Sequence, residues 1–271
     1  MSVSNIGKLT KALQLVATAQ LRTARRQQEE SRAFAEGIRD SWQVDADVKM
    51  DTSEGKEHWI AFSTDRSLCG AVNGNLFKNI RPQLEAAHAA NRTDLNLTVV
   101  GEKGRAGLER ANRKYLANVF TDVTRCKQLT FKQVCMMSDH ILKSNPAGGK
   151  VFYNHWINTL VNEPRVVDYY NADTMIKHST FAADLENEGD METFKNFWEF
   201  RFAATNFNFM CENVASEIAS RMAAMSSSSK NAEEIAFLLN RFYNRTRQAK
   251  ITTELIEINS GVQVIAEQED Q

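Results

Sequence analysis

Proline is scarce in this chain, and its three copies, Pro82, Pro146 and Pro164, all fall between Gly37 and Gly189. Residues 190 to 260 hold neither proline nor glycine, the two residues that most readily interrupt a helix. An unbroken helix over that run, at ~1.5 Å per residue, would reach about 105 Å, several times the width of an ordinary domain. Residues 8 to 36 also lack both, so a second long helix is expected near the N-terminus. Long apolar runs are missing too. No stretch approaches the ~18 residues that would read as a membrane-spanning helix.

Other absences narrow the chemistry. The four cysteines, Cys69, Cys126, Cys135 and Cys211, form no CxxC pair and no metal-ligand spacing, so reduced, buried thiols are expected. The five histidines are scattered, with no HExxH arrangement, so no metal site, cofactor or catalytic residue is expected. N-x-[ST] triplets at Asn91, Asn96 and Asn244 read as chance, Asn244 falling within the long helical run. The opening MSVSNIGKLTKA reads as neither a secretory signal nor a transit peptide.

The long run carries a heptad seam. Alternate steps of three and four residues from Cys211 give Val214, Ile218, Arg221, Met225, Ser228, Ala232, Ile235, Leu239, Phe242, Thr246, Ala249, Thr253 and Ile256. A seven-residue repeat held that long implies a left-handed coiled coil, because the stripe on an unsupercoiled helix would rotate away from its partner. Near the N-terminus Ile6, Leu9, Leu13 and Val16 keep the same spacing before the stripe turns small and polar at Ala17, Ala24 and Gln27. The expected fold class is therefore α+α/β: a long antiparallel coiled coil of N- and C-terminal helices bracketing a small α/β domain. Its divisions are residues 1–45, 46–189 and 190–271. The first helix is shorter by roughly thirty residues, so the second, from Phe242 to Gly261, is expected to keep an apolar seam with no partner in its own chain. A bare apolar helix tip in water implies a sheath supplied by other chains.

The middle reads as α/β. Strands are expected at 58–62, 95–100 and 150–158, with an edge strand at 165–170, and helices at 73–90, 102–112 and 130–143. Such alternation argues for a mostly parallel, doubly wound sheet. Gly101, Gly104 and Gly107 follow a strand and open a helix, but their spacing is not the dinucleotide fingerprint and no Walker-type GK[ST] occurs. In STDRSLCGAVN, residues 63–73, a Ser, an Asp and a Cys follow a strand, the place where an α/β enzyme keeps its nucleophile. No G-x-S-x-G elbow or nearby histidine accompanies them. A capped helix start with Asp65 and Arg66 as a structural pair is expected instead.

Net charge is −1, with 33 basic against 34 acidic residues, which conceals a segregation. Residues 8–32 carry Lys8, Lys11, Arg22, Arg25, Arg26 and Arg32 against Glu29 and Glu30. Residues 220–250 carry Arg221, Lys230, Arg241, Arg245, Arg247 and Lys250 against Glu233 and Glu234. Two basic helical windows call for an acidic partner surface, either nucleic acid or carboxylates, unless they are merely solvated faces.

Four stretches, NIGKLTKALQLVATAQ, STDRSLCGAVN, ASRMAAMSSSSKNAEE and NRTRQAKITTELIEINSG, resemble the gamma subunit family of the rotary proton-translocating ATP synthase, in the family's order and in wording similar to mitochondrial members and their bacterial relatives. The resemblance implies an antiparallel coiled coil inside a collar of alpha and beta subunits, with a Rossmann-like domain beside the membrane ring. It implies a non-catalytic rotor shaft, without an active site, that couples proton-driven rotation to binding changes on the beta subunits. Implied partners are the alpha and beta subunits, the small central-stalk subunits and the membrane rotor ring, with no nucleic acid. The implied place is peripheral to the mitochondrial inner membrane on its matrix side, with the cytoplasmic face of a bacterial membrane as the alternative. Implied rotor–collar contacts are Arg221, Arg247 and Gln248, with Leu15 and Gln20. Here the chain reads Leu15-Val16-Ala17 and then Gln20 where the family usually has M-V-A followed by a lysine, and Ser67 replaces a usual glycine.

Two other readings make different demands. An α/β enzyme would need a convergent set of polar groups, which the motifs do not supply. A nucleic-acid tether would need aromatics interleaved with its basic face, and residues 8–32 contain none.

Overall fold

Short, largely buried strands build the sheet. The computed structural model describes residues 2–40, 55–125, 129–178 and 191–269. Strands β1 (Glu57–Phe62), β2 (Leu95–Val100), β3 (Leu116–Phe120), β4 (Gly148–Trp156) and β5 (Asn162–Tyr170) form one sheet in the order β3-β2-β1-β4-β5. Pairings β1–β2, β2–β3 and β1–β4 are parallel, and β4–β5 is antiparallel. Successive strand residues point to opposite faces. Trp59 and Ala61 therefore join Leu97, Val99 and Phe152 in a core with Leu76, Ile80 and Leu84 of α2 (Val72–Ala89) and Leu108 of α3 (Glu102–Asn112). Ile60 and Phe62 face the other way. With Val100 and Val151 they meet Val134, Met137 and Ile141 of α4 (Phe131–Leu142) and Phe202, Phe209 and Met210 of the last helix.

The mostly parallel sheet and all three expected inner helices are present within a few residues of the expected bounds. Two elements are additional: β3, and the short helix α5 (Ala172–His178). The terminal helices are α1 (Ser2–Asp40), which runs through Gly37, and α6 (Met191–Glu269). Gly261 does not end α6. A Cβ there would meet nothing within 4 Å, so the residue is a tolerated helical glycine at a cost of about 1 kcal/mol.

The chain divides into two compact units, residues 14–224 and, separately, residues 1–13 with 225–271. In the larger unit α1 and α6 pack antiparallel. Ala17, Leu21 and Ala24 meet Ala215, Ile218, Ala219 and Trp156, while Ser31 lies 3.3 Å from Asn208. Arg32 pairs with the buried Glu212 at 2.9 Å and donates to the Trp156 carbonyl at 3.0 Å, and His155 Nδ1 closes on the same carboxylate at 2.5 Å. In the smaller unit Gly7 faces Ser229 and Ala232. The Ser229 hydroxyl points at the Gly7 carbonyl at 3.4 Å, and a Cβ on Gly7 would sit 3.4 Å from the Ala232 Cβ.

The buried stripe of α1 differs from the expected one. Gly7, Thr10, Ala17, Leu21, Ala24, Gln28, Ser31 and Ala35 are buried, whereas Ile6 is 54% and Leu9 60% exposed, Val16 is exposed and Gln27 half-buried. The cause is close approach: backbones packed Gly against Ala leave no room for a branched side chain, so the large apolar residues face outward. On α6 the expected seam is buried or half-buried from Cys211 through Ala232. Beyond it Ile235, Leu239, Phe242 and Ile256 are exposed, so the bare stretch begins a full two turns before Phe242.

Candidate partner-binding surface

The two enzyme-like loops are fully engaged in holding the fold. Asp65 is buried, and its carboxylate accepts from the Glu102 and Asp122 amides at 3.0 Å and from the Thr124 amide and hydroxyl at 2.8 Å. It therefore ties the loops after β1, β2 and β3 together. Rather than pairing with Arg66, the Asp65 carboxylate has its desolvated oxygens satisfied by these donors, without the cost of ordering a long side chain. Nor does Asp65 cap the helix next to it: α2 has no side-chain cap, and the helix whose first amide Asp65 accepts is α3.

At the start of α3, Glu102 N goes to Asp65, Lys103 N to the Thr64 carbonyl at 2.9 Å and Gly104 N to the Ser63 hydroxyl at 2.8 Å. These are the amides that would cradle a phosphate at a helix N-terminus. Each already has a protein acceptor. Gly101, at φ 102°, adopts the turn that aims them inward, a conformation side chains rarely take. Cys69 is buried beneath Gly70, its sulfur 3.2 Å from Asn73 Nδ2 and 3.6 Å from the Thr64 hydroxyl. It packs at a strand-to-helix turn.

The five expected contact residues fall into distinct settings. Leu15 and Gln20 are exposed on α1, Leu15 at 66%. Gln20 and Arg221 line one groove of about 580 Å³, shared with Thr23, Gln27, Arg66 and Arg125. Arg221 is held: it donates to Glu217 at 2.5 Å, one helical turn earlier, and reaches the Ser67 carbonyl at 3.5 Å. Burial pushes the Glu217 carboxyl above its usual range, and the Arg221 cation opposes that rise. Sequence reasoning missed Glu217, although its place four residues before an arginine on a helix is the spacing of a facing pair.

In the smaller unit Arg247 and Gln248 are exposed on α6, and Arg247 makes no ion pair among the described residues. Around them Phe237, Leu238, Phe242, Tyr243, Ile251 and Leu255 are all exposed. Apolar side chains bare around much of a helix circumference, with free cations between them, suit enclosure by protein rather than one flat partner.

An α/β sheet domain bracketed in sequence by two long terminal helices, with the distal seam of the second helix bare, defines a class of subunits that act through contacts with other chains. The ATP synthase family profile matches residues 1–265. The chain is 34% identical to the mitochondrial ATP synthase subunit gamma of Arabidopsis thaliana, over 97% of this chain and 82% of that one. It is 32% identical to the Drosophila melanogaster counterpart, over 96% and 86%, and 31% identical to the ATP synthase gamma chain of Erythrobacter litoralis, over 97% and 96%. The protein belongs to the ATP synthase gamma subunit family. Its fold matches a chain of the Euglena gracilis mitochondrial ATP synthase with a TM-score of 0.76 at 15% identity, covering 97% of this chain and 92% of that one. A central-stalk chain from Tetrahymena thermophila matches at 0.65 and 24% identity, over 82% and 99%.

Proposed function

We propose that this chain is the central rotor shaft of a rotary ATP synthase. It couples proton-driven rotation of the membrane ring to binding changes at catalytic sites on the beta subunits, and so serves ATP synthesis without carrying the chemistry. Its partners are the alpha and beta subunits of the catalytic head, the small central-stalk subunits and the rotor ring. Its place is the matrix side of the mitochondrial inner membrane, as a peripheral subunit. Residues 1–45 and 190–271 serve as shaft and residues 46–189 as foot.

The observation that carries this reading is the bare seam of α6 from Ile235 to Val262, which exposes many large apolar side chains and has basic residues interspersed. A collar of subunits with carboxylate-bearing loops satisfies both properties. Arg247 and Gln248 are proposed to grip such a loop at some angles and release it at others, since a guanidinium fork binds a carboxylate strongly in one orientation only. Arg221, Gln20 and Leu15 are proposed as a second contact nearer the foot. Arg221 must then share its fork between Glu217 and the partner.

The test is retention of the purified chain by an immobilised alpha–beta hexamer, set against a phosphate column and duplex DNA. Retention by the hexamer alone, with rotation of a bead fixed to the foot during ATP hydrolysis, is the expected result. Binding to DNA without binding to the hexamer would sink the proposal.

A further inference from the structure

His58 is fully buried on β1, on the side of the sheet that α4 covers. Each ring nitrogen meets a hydroxyl: Nε2 lies 2.7 Å from Thr98 Oγ1, and Nδ1 lies 3.3 Å from Ser144 Oγ. Beyond Thr98, Asn118 Nδ2 is 3.3 Å from the same Oγ1, and Asn118 Oδ1 is 3.0 Å from His140 Nε2. Five side chains thus form one path from the last turn of α4, across β3, β2 and β1, to Ser144, two residues past α4. A bulge makes the path possible. Register shifts between Leu97 and Thr98, so that Asn118 rather than Ala117 stands opposite Thr98.

Ser144 sets the direction of the path. Its hydroxyl oxygen lies 2.7 Å from the Ile141 carbonyl, and two oxygens that close need the single hydroxyl proton between them. Toward His58, Ser144 can only accept, which places a proton on Nδ1. Burial holds the imidazole neutral, its pKa lowered to about 4. Nε2 is then bare and accepts from the Thr98 hydroxyl. With that proton committed, Thr98 Oγ1 accepts from the Asn118 amide, and Asn118 Oδ1 accepts from His140. The reverse order would leave two acceptors facing each other at Ser144.

We propose that this directional chain of donors is a latch that fixes His58 as the Nδ1–H tautomer and locks α4 onto the sheet, stiffening the joint through which α6 grips the sheet domain. Val134, Met137 and Ile141 of α4 share one core with Phe202, Phe209 and Met210 of α6, so a shift of α4 is felt by α6. The His58 backbone is pinned as well. Its carbonyl accepts from the Tyr169 hydroxyl at 2.9 Å, and Gly149 passes so close to it that a Cβ would collide with that oxygen. The value of the stiffness to a shaft rests on the rotor reading; the latch itself does not.

The full chain, labelled with ¹⁵N in its histidine rings, tests it. At pH 7 the signal lost in His58→Gln is expected to come from a ring protonated on Nδ1 alone. Thr98→Val is expected to move that signal and to speed amide exchange at Ile141 and Leu142 by about tenfold, and Thr98→Ser to restore both. If Thr98→Val does not fold, Asn118→Ala on the edge strand is expected to move the same ring signal. A ring proton on Nε2 overturns the latch, as does a folded Thr98→Val or Asn118→Ala that leaves the ring signal unchanged. Either result leaves retention by the alpha–beta hexamer untouched, whereas loss of that retention would sink the rotor reading and leave the latch standing.

Discussion

His58 gives the fold an acid sensitivity whose sign follows from its pKa. The group sits near 6.5 in an open chain and at about 4 when buried, with desolvation as the cause. Between those values the unfolded state takes up a proton that the folded state refuses, so stability falls as pH drops from about 6.5 to 4 and is fully present above 6.5. The expected loss is about 3 kcal/mol. Urea midpoints measured from pH 7 to 4 should fall more steeply in the native chain than in His58→Gln; parallel curves would contradict this. At Cys69, with its sulfur among Thr64 and Asn73, Cys69→Ser should leave ATP hydrolysis and synthesis nearly unchanged, while Cys69→Trp should overpack the turn by ~1 to 3 kcal/mol, read as a lower thermal midpoint. Arg247→Ala combined with Gln248→Ala should leave assembly intact and lower coupled ATP synthesis, because a charge-assisted bond of ~1.5 to 3 kcal/mol is lost. Normal synthesis by that double variant would remove these residues from the grip.

At the scale of elements, the narrow approach of α1 and α6 in the smaller unit depends on absent side chains. Gly7→Leu should separate the two helices there and accelerate amide exchange from Ser229 to Ala232, whereas Gly7→Ala, whose Cβ just reaches ordinary contact, should be close to neutral. This packing also explains what was legible in the sequence and what was not. Strands β1 and β2 are short apolar runs, and both were readable; β3 has Asn118 at its centre and a bulge beside it, so its period is broken. The seam of α6 was readable to Ala232 because, Arg221 and Ser228 apart, its own residues are apolar. On α1 only Ala17 and Ala24 of the expected stripe are buried; its first part was misread, since Gly7 and Thr10 are buried there while the apolar Ile6, Leu9 and Val16 face outward. Asp65 escaped for another reason: its partners are amides of Glu102, Asp122 and Thr124, far away in sequence and invisible to any local motif. Of the five contact residues, the exposure of Arg247 and Gln248 follows from the bare seam, while the partnership of Arg221 with Glu217 needed the helix spacing to be read.

For the molecule as a whole, the bare seam means that most of α6 beyond Glu233 has only its own backbone to hold it. Single helices are marginal in water. Hydrogen exchange on the free chain should therefore show fast exchange beyond Glu233 and slow exchange across the sheet; full protection through Ile256 would contradict this. A near-zero net charge of −1 adds little repulsion between copies at neutral pH. Exposed Phe237, Leu238, Phe242 and Tyr243 then make an unassembled copy look, to a cell, like a damaged protein. The surface proposed to be sheathed in the assembly is expected to mark the chain for degradation outside it. Surplus copies are therefore expected to be cleared, so that the abundance of this subunit follows the supply of its partners.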